Sequence, residues 1–257
     1  MSFALITGAS KGIGKAMAFE LAARGFALAL VARSGDLLQN IAEEIKAKHN
    51  VQVHYLAVDL SSSTAPQEVF RWSEQNHFSV SILINNAGYG LSGAFESYPL
   101  EQHVDMLQVN CTALVQLSYL FLPQLKKQPK AYILNIASSA AYQAVPYLSL
   151  YAASKSLVLQ FSRGLRHELR KTSVSVTCIS PGATETGFNS RAKIGPKAIK
   201  AAEKVSMQPE EVAKVAIESM FSKKSEVIVG VLNKVGGFLS WLLPKKLVET
   251  TTANLYE

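Results

Sequence analysis

Short apolar runs alternate along the chain with longer stretches in which apolar residues return every three to four positions. The runs lie at residues 3–6, 27–32, 51–58, 80–84, 131–136, 175–179 and 226–231, each four to eight residues long and rich in Leu, Ile, Val and Ala. Runs of that kind fit strands covered on both faces of a parallel sheet. The periodic stretches lie at 15–24, 36–48, just after Pro66, at 100–126, 149–171 and 209–222, with a short one opening at Pro196, and they read as helices. Strand followed by helix, repeated from a first strand, predicts an α/β, doubly wound parallel sheet of about seven strands in the order 3-2-1-4-5-6-7, with helices on both faces. A chain of 257 residues, 48% of them hydrophobic, can bury such a sheet as one domain spanning 1–257.

The polar punctuation between these elements carries the candidate chemistry. The first strand runs into Thr7-Gly8-Ala9-Ser10-Lys11-Gly12-Ile13-Gly14. Glycines let backbone amides approach a pyrophosphate, and the helix that follows offers the positive end of its dipole. The second strand ends at Ala32-Arg33-Ser34, where a dinucleotide fold reads the adenosine ribose. An acidic residue there would select a free 2′-hydroxyl. Arg33, Ser34 and Lys11 instead offer two cations and a hydroxyl to a 2′-phosphate, so the expected cofactor is NADP, used as NADPH. Asp59-Leu60 closes the third strand, and Asp59 has two roles open to it: accepting from an adenine amino group, or capping the next helix.

Tyr151 and Lys155 stand four apart at the start of a helix, which places the phenol and the ammonium on one face. A neighbouring cation favours phenolate, which makes Tyr151 a candidate general acid. Ser138 follows the fifth strand at the end where a hydroxyl can reach a bound carbonyl. Asn110 lies inside the long helix at 100–126, where it costs helix propensity.

Thr7-Gly8-x-x-x-Gly12-x-Gly14, Asn85-Asn86-Ala87-Gly88, Ser138, Tyr151-x-x-x-Lys155 and Pro181-Gly182 together resemble the short-chain dehydrogenase/reductase family, over residues 3 to about 230. The resemblance implies a Rossmann-like fold and a catalytic tetrad of Asn110, Ser138, Tyr151 and Lys155. In it Ser138 holds the carbonyl oxygen, Tyr151 gives the proton, Lys155 lowers the tyrosine pKa and binds the nicotinamide ribose, and Asn110 distorts its helix and holds a water. It also implies cofactor contacts from Gly8, Ser10, Lys11, Gly12, Ile13, Gly14, Arg33, Ser34, Asp59, Leu60, Asn86, Ala87, Gly88, Tyr151 and Lys155. The loop after the sixth strand adds Pro181, Gly182, Thr184 and Thr186. The function implied is reversible NADPH-dependent reduction of a carbonyl to an alcohol. A binding-only relative that has lost its reaction is the competing class, and an epimerase or dehydratase lacks an obvious further acid or base.

Charge narrows the partners. The net charge is +7, but no dense basic run interleaves with aromatics, which argues against nucleic acid and suits an anionic cofactor. Cys111 and Cys178 have no paired or metal-ligand spacing, so no metal is expected and the thiols suit the cytoplasm. The first residues lack a basic region before their apolar run, so they read as a strand and not as a secretion signal. Tyr89, Leu91, Phe95, Tyr142, Val145, Tyr147 and Phe188 are expected to wall a hydrophobic carbonyl or alcohol substrate, a 3-oxoacyl thioester being the specific choice and a hydroxysteroid or xenobiotic carbonyl the alternative. A substrate lid is expected over 187–207, where Lys197, Lys200 and Lys204 share a helix face that is either solvated or a dock for an acidic carrier. The apolar extension at 232–257 is too short to span a bilayer. It is expected to pack over the site or in a homodimer or homotetramer, with peripheral membrane contact through Lys234, Lys245 and Lys246 as the other reading.

Overall fold

The computed structural model describes residues 2–203 and 205–256. Its elements run β1 (Phe3–Thr7), α1 (Gly12–Ala22), β2 (Ala27–Ala32), α2 (Gly35–His49), β3 (Val53–Ala57), α3 (Ala65–Gln75), β4 (Val80–Asn85), α4 (Leu100–Leu107), α5 (Ala113–Lys126), β5 (Ala131–Ile136), α6 (Ser149–Glu168) and β6 (Val174–Ser180). Then come α7 (Phe188–Ala192), α8 (Pro196–Glu203), α9 (Pro209–Phe221), β7 (Glu226–Ile228), α10 (Val231–Leu242) and α11 (Lys245–Tyr256). A π turn, Gln108–Thr112, joins α4 to α5, and a 3-10 turn, Ser139–Tyr142, follows β5.

All strand pairings are parallel, and the sheet order is β3-β2-β1-β4-β5-β6-β7, as the alternation of elements predicts. Side chains alternate across a strand, so each central strand feeds two cores. Ala4, Ile6, Leu28, Leu30, Ile82 and Ile84 pack with Met17 and Leu21 of α1, Leu38 and Ile41 of α2 and Ile217 of α9. Leu5, Ala29, Val31, Leu83 and Ile133 pack on the other side with Val69 of α3 and Leu117, Phe121 and Leu125 of α5. Each Leu, Ile, Val, Met or Phe among them taken fully out of water contributes about 1.5–3 kcal/mol. β3 is an edge strand, with His54, Tyr55 and Ala57 exposed.

Three segments depart from the expected outline. The continuous helix expected at 100–126 is split by the π turn, whose wide winding holds Asn110 and Cys111 inside the protein. The last strand stops at Ile228, because Gly230, at φ 89°, turns the chain into α10. Residues 245–256 form a helix that their run of three threonines and low amphipathicity concealed.

Candidate active site and dinucleotide cleft

The carboxyl ends of the central strands meet at a cleft of about 490 Å³, the place where open α/β sheets bind ligands. Thr7 organises its floor. Its hydroxyl donates to the Ile84 carbonyl at 3.2 Å and accepts from the amides of Asn86 and Ala87 at 3.0 and 3.1 Å. Asn86 in return donates its side-chain amide to the carbonyls of Thr7 and Gly8, at 3.0 and 3.2 Å. The β1 and β4 turns are thereby locked together. Gly8 and Gly12 take positive φ, and a Cβ on Gly14 would sit 2.3 Å from the Gly8 carbonyl oxygen. The cradle therefore demands glycine at three points, which is the shape a pyrophosphate needs to reach backbone amides.

At the outer end of the cleft Arg33 lies 3.8 Å from Asp59, an ion pair half exposed to water. Asp59 also accepts from the Ser61 amide at 3.0 Å, a local turn and not a helix cap, since α3 begins at Ala65 with Thr64 at its N-cap. Ser34 precedes α2 without a side-chain capping bond, so its hydroxyl is not committed there. A third cation stands here that sequence reasoning missed. Arg191 of α7 lies 3.9 Å over the ring of Tyr89 and faces Arg33 and Asp59, and burial with Arg33 beside it holds its pKa below the usual value. Only the folding of the segment after β6 brings residue 191 beside residue 33, so no local signal marked it.

The inner end holds the chemistry. α6 begins at Ser149 and turns Tyr151 and Lys155 to one buried face, at 8% and 5% exposure. Lys155 donates to the Ile136 carbonyl at 2.9 Å, with its ammonium 5.9 Å from the centre of the Tyr151 ring. Ser138 accepts from the Ala140 amide at 3.1 Å, which aims its hydroxyl from the head of the 3-10 turn. Burial pushes the Tyr151 pKa up to about 12, against the pull of a hydrogen bond with Ser138 and with Tyr256 nearby adding to the rise. Burial lowers Lys155 to about 8. The rise at Tyr151 runs against the sequence expectation that Lys155 would draw the phenol down: for a side chain this deep, loss of hydration is the largest effect.

Asn110 reaches the site from the π turn. Its carbonyl oxygen accepts from the Tyr89 amide at 3.0 Å, while its amide donates to the Tyr89 carbonyl at 2.9 Å and to the Ser154 hydroxyl at 3.0 Å. The side chain is fully engaged in tying the loop after β4 to the catalytic helix. Below it runs a buried polar chain that the sequence did not announce. Asn85 donates to Asn135 at 2.9 Å and to Ser118 at 3.2 Å, and Asn135 donates to Ser162 at 2.9 Å.

Of the expected cofactor and catalytic residues, all line the cleft except Gly14 and Asn110, which act from behind it. Thr184 donates to the Gly182 carbonyl at 3.1 Å, and Thr186 lies against the glycine loop, 2.6 Å from where a Gly12 Cβ would be. Tyr89, Leu91, Val145 and Phe188 gather round Tyr151 as expected, joined by Met106, Leu148, Ile194 and Tyr256. Phe95 and Tyr142 do not belong to this wall: Phe95 stacks on His103 at 4.6 Å, and Tyr142 hydrogen bonds to Glu226 and Ser180 under α10. Tyr147, at φ 61°, is outside the cleft lining and accepts from the Gly93 amide through its carbonyl. Lys197 and Lys200 flank Leu255 of α11, and Lys204 lies outside the described residues.

A nucleotide cradle at one end of a strand-edge cleft and a Ser, Tyr and Lys cluster at the other define an oxidoreductase that works with a dinucleotide. The chain belongs to the short chain dehydrogenase family, whose profile matches residues 2–196. It is 34% identical over 183 residues to a very-long-chain 3-oxoacyl-CoA reductase of Danio rerio, covering 70% of this chain and 57% of that one. A 7β-hydroxysteroid dehydrogenase superposes with a TM-score of 0.88 at 25% identity, covering 98% of this chain and 96% of the other. A short-chain dehydrogenase from Sphingobium yanoikuyae in complex with NADPH gives 0.83 at 29% identity, covering 94% and 95%. Among solved structures similar to this chain, one is in complex with 5-hydroxy-NADP, one with NADPH and one with NAD.

Proposed function

We propose that this protein is an NADPH-dependent carbonyl reductase, reversible to an alcohol dehydrogenase. The observation that carries the reading is the buried pairing of Tyr151 with Lys155 beside Ser138, at the inner end of a cleft whose outer end holds Arg33, Lys11 and Arg191. Bound there, a reduced nicotinamide supplies the hydride. Ser138 Oγ and Tyr151 Oη hold the carbonyl oxygen, and the Tyr151 proton moves to that oxygen as it gains charge. Lys155, charged, steadies the phenolate left behind and offers its ammonium to ribose hydroxyls. Asn110 keeps the loop and the catalytic helix in register, and the apolar wall excludes water.

The preference for NADPH rests on the cations. A half-exposed ion pair such as Arg33 with Asp59 is worth only about 0–1 kcal/mol, so Arg33 is easily released to a phosphate. A charge-assisted contact to that phosphate contributes roughly 1.5–3 kcal/mol. Arg33→Ala should therefore weaken NADPH binding by about tenfold or more and NADH binding by less than about threefold in fluorescence titrations. Equal affinity of the unmodified protein for the two cofactors would contradict the assignment.

For substrate we favour a hydrophobic carbonyl, and within that class a 3-oxoacyl thioester. The wall of Tyr89, Leu148, Phe188, Ile194 and Tyr256 suits an apolar chain, and the similarity to a 3-oxoacyl-CoA reductase points the same way. A ketosteroid is the second reading, favoured by the superposition on a hydroxysteroid dehydrogenase. The test is kcat/KM for acetoacetyl-CoA, a long-chain 3-oxoacyl-CoA, a ketosteroid and a small aromatic ketone. The long-chain thioester should lead by about tenfold, and a lead of that size by the steroid or the aromatic ketone would sink the thioester reading.

The reading includes a homodimer or homotetramer, because Leu100, Val104, Val115, Tyr119 and Leu157 on α4, α5 and α6 are 37–78% exposed and leave an apolar strip for a second copy. The two cysteines are free and buried, which suits reducing cytoplasm.

A further inference from the structure

We propose that α10 and the start of α11 dock on the surface of an anionic lipid bilayer. The helix α10 is built inside out. Its small and polar stripe faces the protein: the Asn233 amide donates to the Val229 carbonyl at 2.7 Å and lies against Gly182, a Gly237 Cβ would touch Ile228 at 3.1 Å, and Ser240 is 3% exposed. The large apolar side chains point the other way. Val231, Leu232, Phe238, Trp241 and Leu242 are 59–74% exposed, and Leu247 of α11 continues the face at 54%. At about 100° per residue the five on α10 fill the half of the helix opposite Asn233, Gly237 and Ser240. At about 100 Å² each, the exposed groups reach or exceed the roughly 300–600 Å² apolar patch that a monomer ordinarily shows.

Length and charge choose the occupant. No helix among the described residues is long and apolar enough to cross a membrane, so this face would lie in the headgroup region and not span it. Lys234 lies on the exposed side of α10 and Lys245 and Lys246 open α11, while the acidic residues from 231 to 257 are Glu249 and Glu257. Lys245 is bonded to the Ser240 carbonyl at 2.7 Å, which keeps its ammonium at the end of α10. A second copy related by a two-fold axis would bring two sets of lysines together with too few acids to balance them. Anionic lipid supplies that balance.

Trp241 is a built-in reporter, since Trp72 is the other tryptophan of the chain. The full chain is mixed with phosphatidylcholine vesicles, with or without about 30 mol % phosphatidylglycerol, and partition is measured by co-sedimentation. Emission is followed in parallel in Trp72→Phe. The expected result is at least tenfold stronger partition to the anionic vesicles, with a blue shift of Trp241 emission. Phe238→Ser with Trp241→Ser should cut partition about tenfold while thermal melting and NADPH titration stay unchanged, and Lys234→Gln with Lys246→Gln should remove the preference for anionic lipid. Absence of binding to either vesicle overturns the proposal. So does a blue-shifted Trp241 without lipid together with a dimer that Trp241→Ser dissociates, which would make a second copy the occupant.

Discussion

Tyr151→Phe is expected to lower kcat for carbonyl reduction by about 10³-fold or more, with NADPH affinity changed by less than about threefold. A positioned general acid contributes about 10²–10⁴ to rate, and each factor of ten corresponds to about 1.36 kcal/mol of transition-state stabilisation. The phenyl ring keeps the packing against Phe188, 5.2 Å away between ring centres, so the loss isolates the proton. The pKa shifts set the expected pH dependence. At about 12, Tyr151 stays protonated at neutral pH and is ready to give its proton, while Lys155, at about 8, loses its charge as pH rises through that value. Reduction should therefore weaken above pH 8, where the cation that steadies the departing phenolate is gone. Undiminished reduction by the phenylalanine variant under steady-state assay would end this mechanism.

Gly14→Ala should act by a different route. The added methyl meets a backbone oxygen at 2.3 Å and the Asn86 amide nitrogen at 2.5 Å, neither of which can swing away without opening the lock between the β1 and β4 turns. Overpacking of this kind costs about 1–3 kcal/mol, and the displaced cradle should weaken dinucleotide binding by more than tenfold. Gly164→Ala is the internal control. It is also helical, is exposed and would meet nothing within 4 Å, so helix propensity alone acts and stability should rise by about 0.5–1 kcal/mol. Melting temperatures of the two variants moving in the same direction would show that the packing argument is wrong.

The sheet order and most strand limits were legible because buried parallel strands are bare apolar runs, and β2 and β5 match the expected limits to the residue. The glycine cradle and the Tyr151 and Lys155 pair were legible because their spacing is local. What sequence could not disclose depends on distant residues. Arg191 meets Arg33 only through the placement of α7, Tyr256 reaches Tyr151 from the end of α11, and Asn85 finds Asn135 across neighbouring strands. The π turn was foreshadowed only by the resemblance that gave Asn110 a distorted helix. The high pKa of Tyr151 was missed for a related reason, since burial is a property of the assembled cleft and not of a four-residue interval.

The strand order also sets a timetable. β1 pairs with β2 at once but must wait for β4, some seventy residues later, before Thr7 can find Asn86 and Ala87. The cleft then remains open on one side until α6 and the loop after β6 have joined it. In refolding, helical signal should return before the ability to bind dinucleotide, because closing distant strands is slower than forming local turns. A nascent chain would thus carry an unfinished pocket through most of its synthesis, and cofactor capture would mark the end of folding and not its beginning.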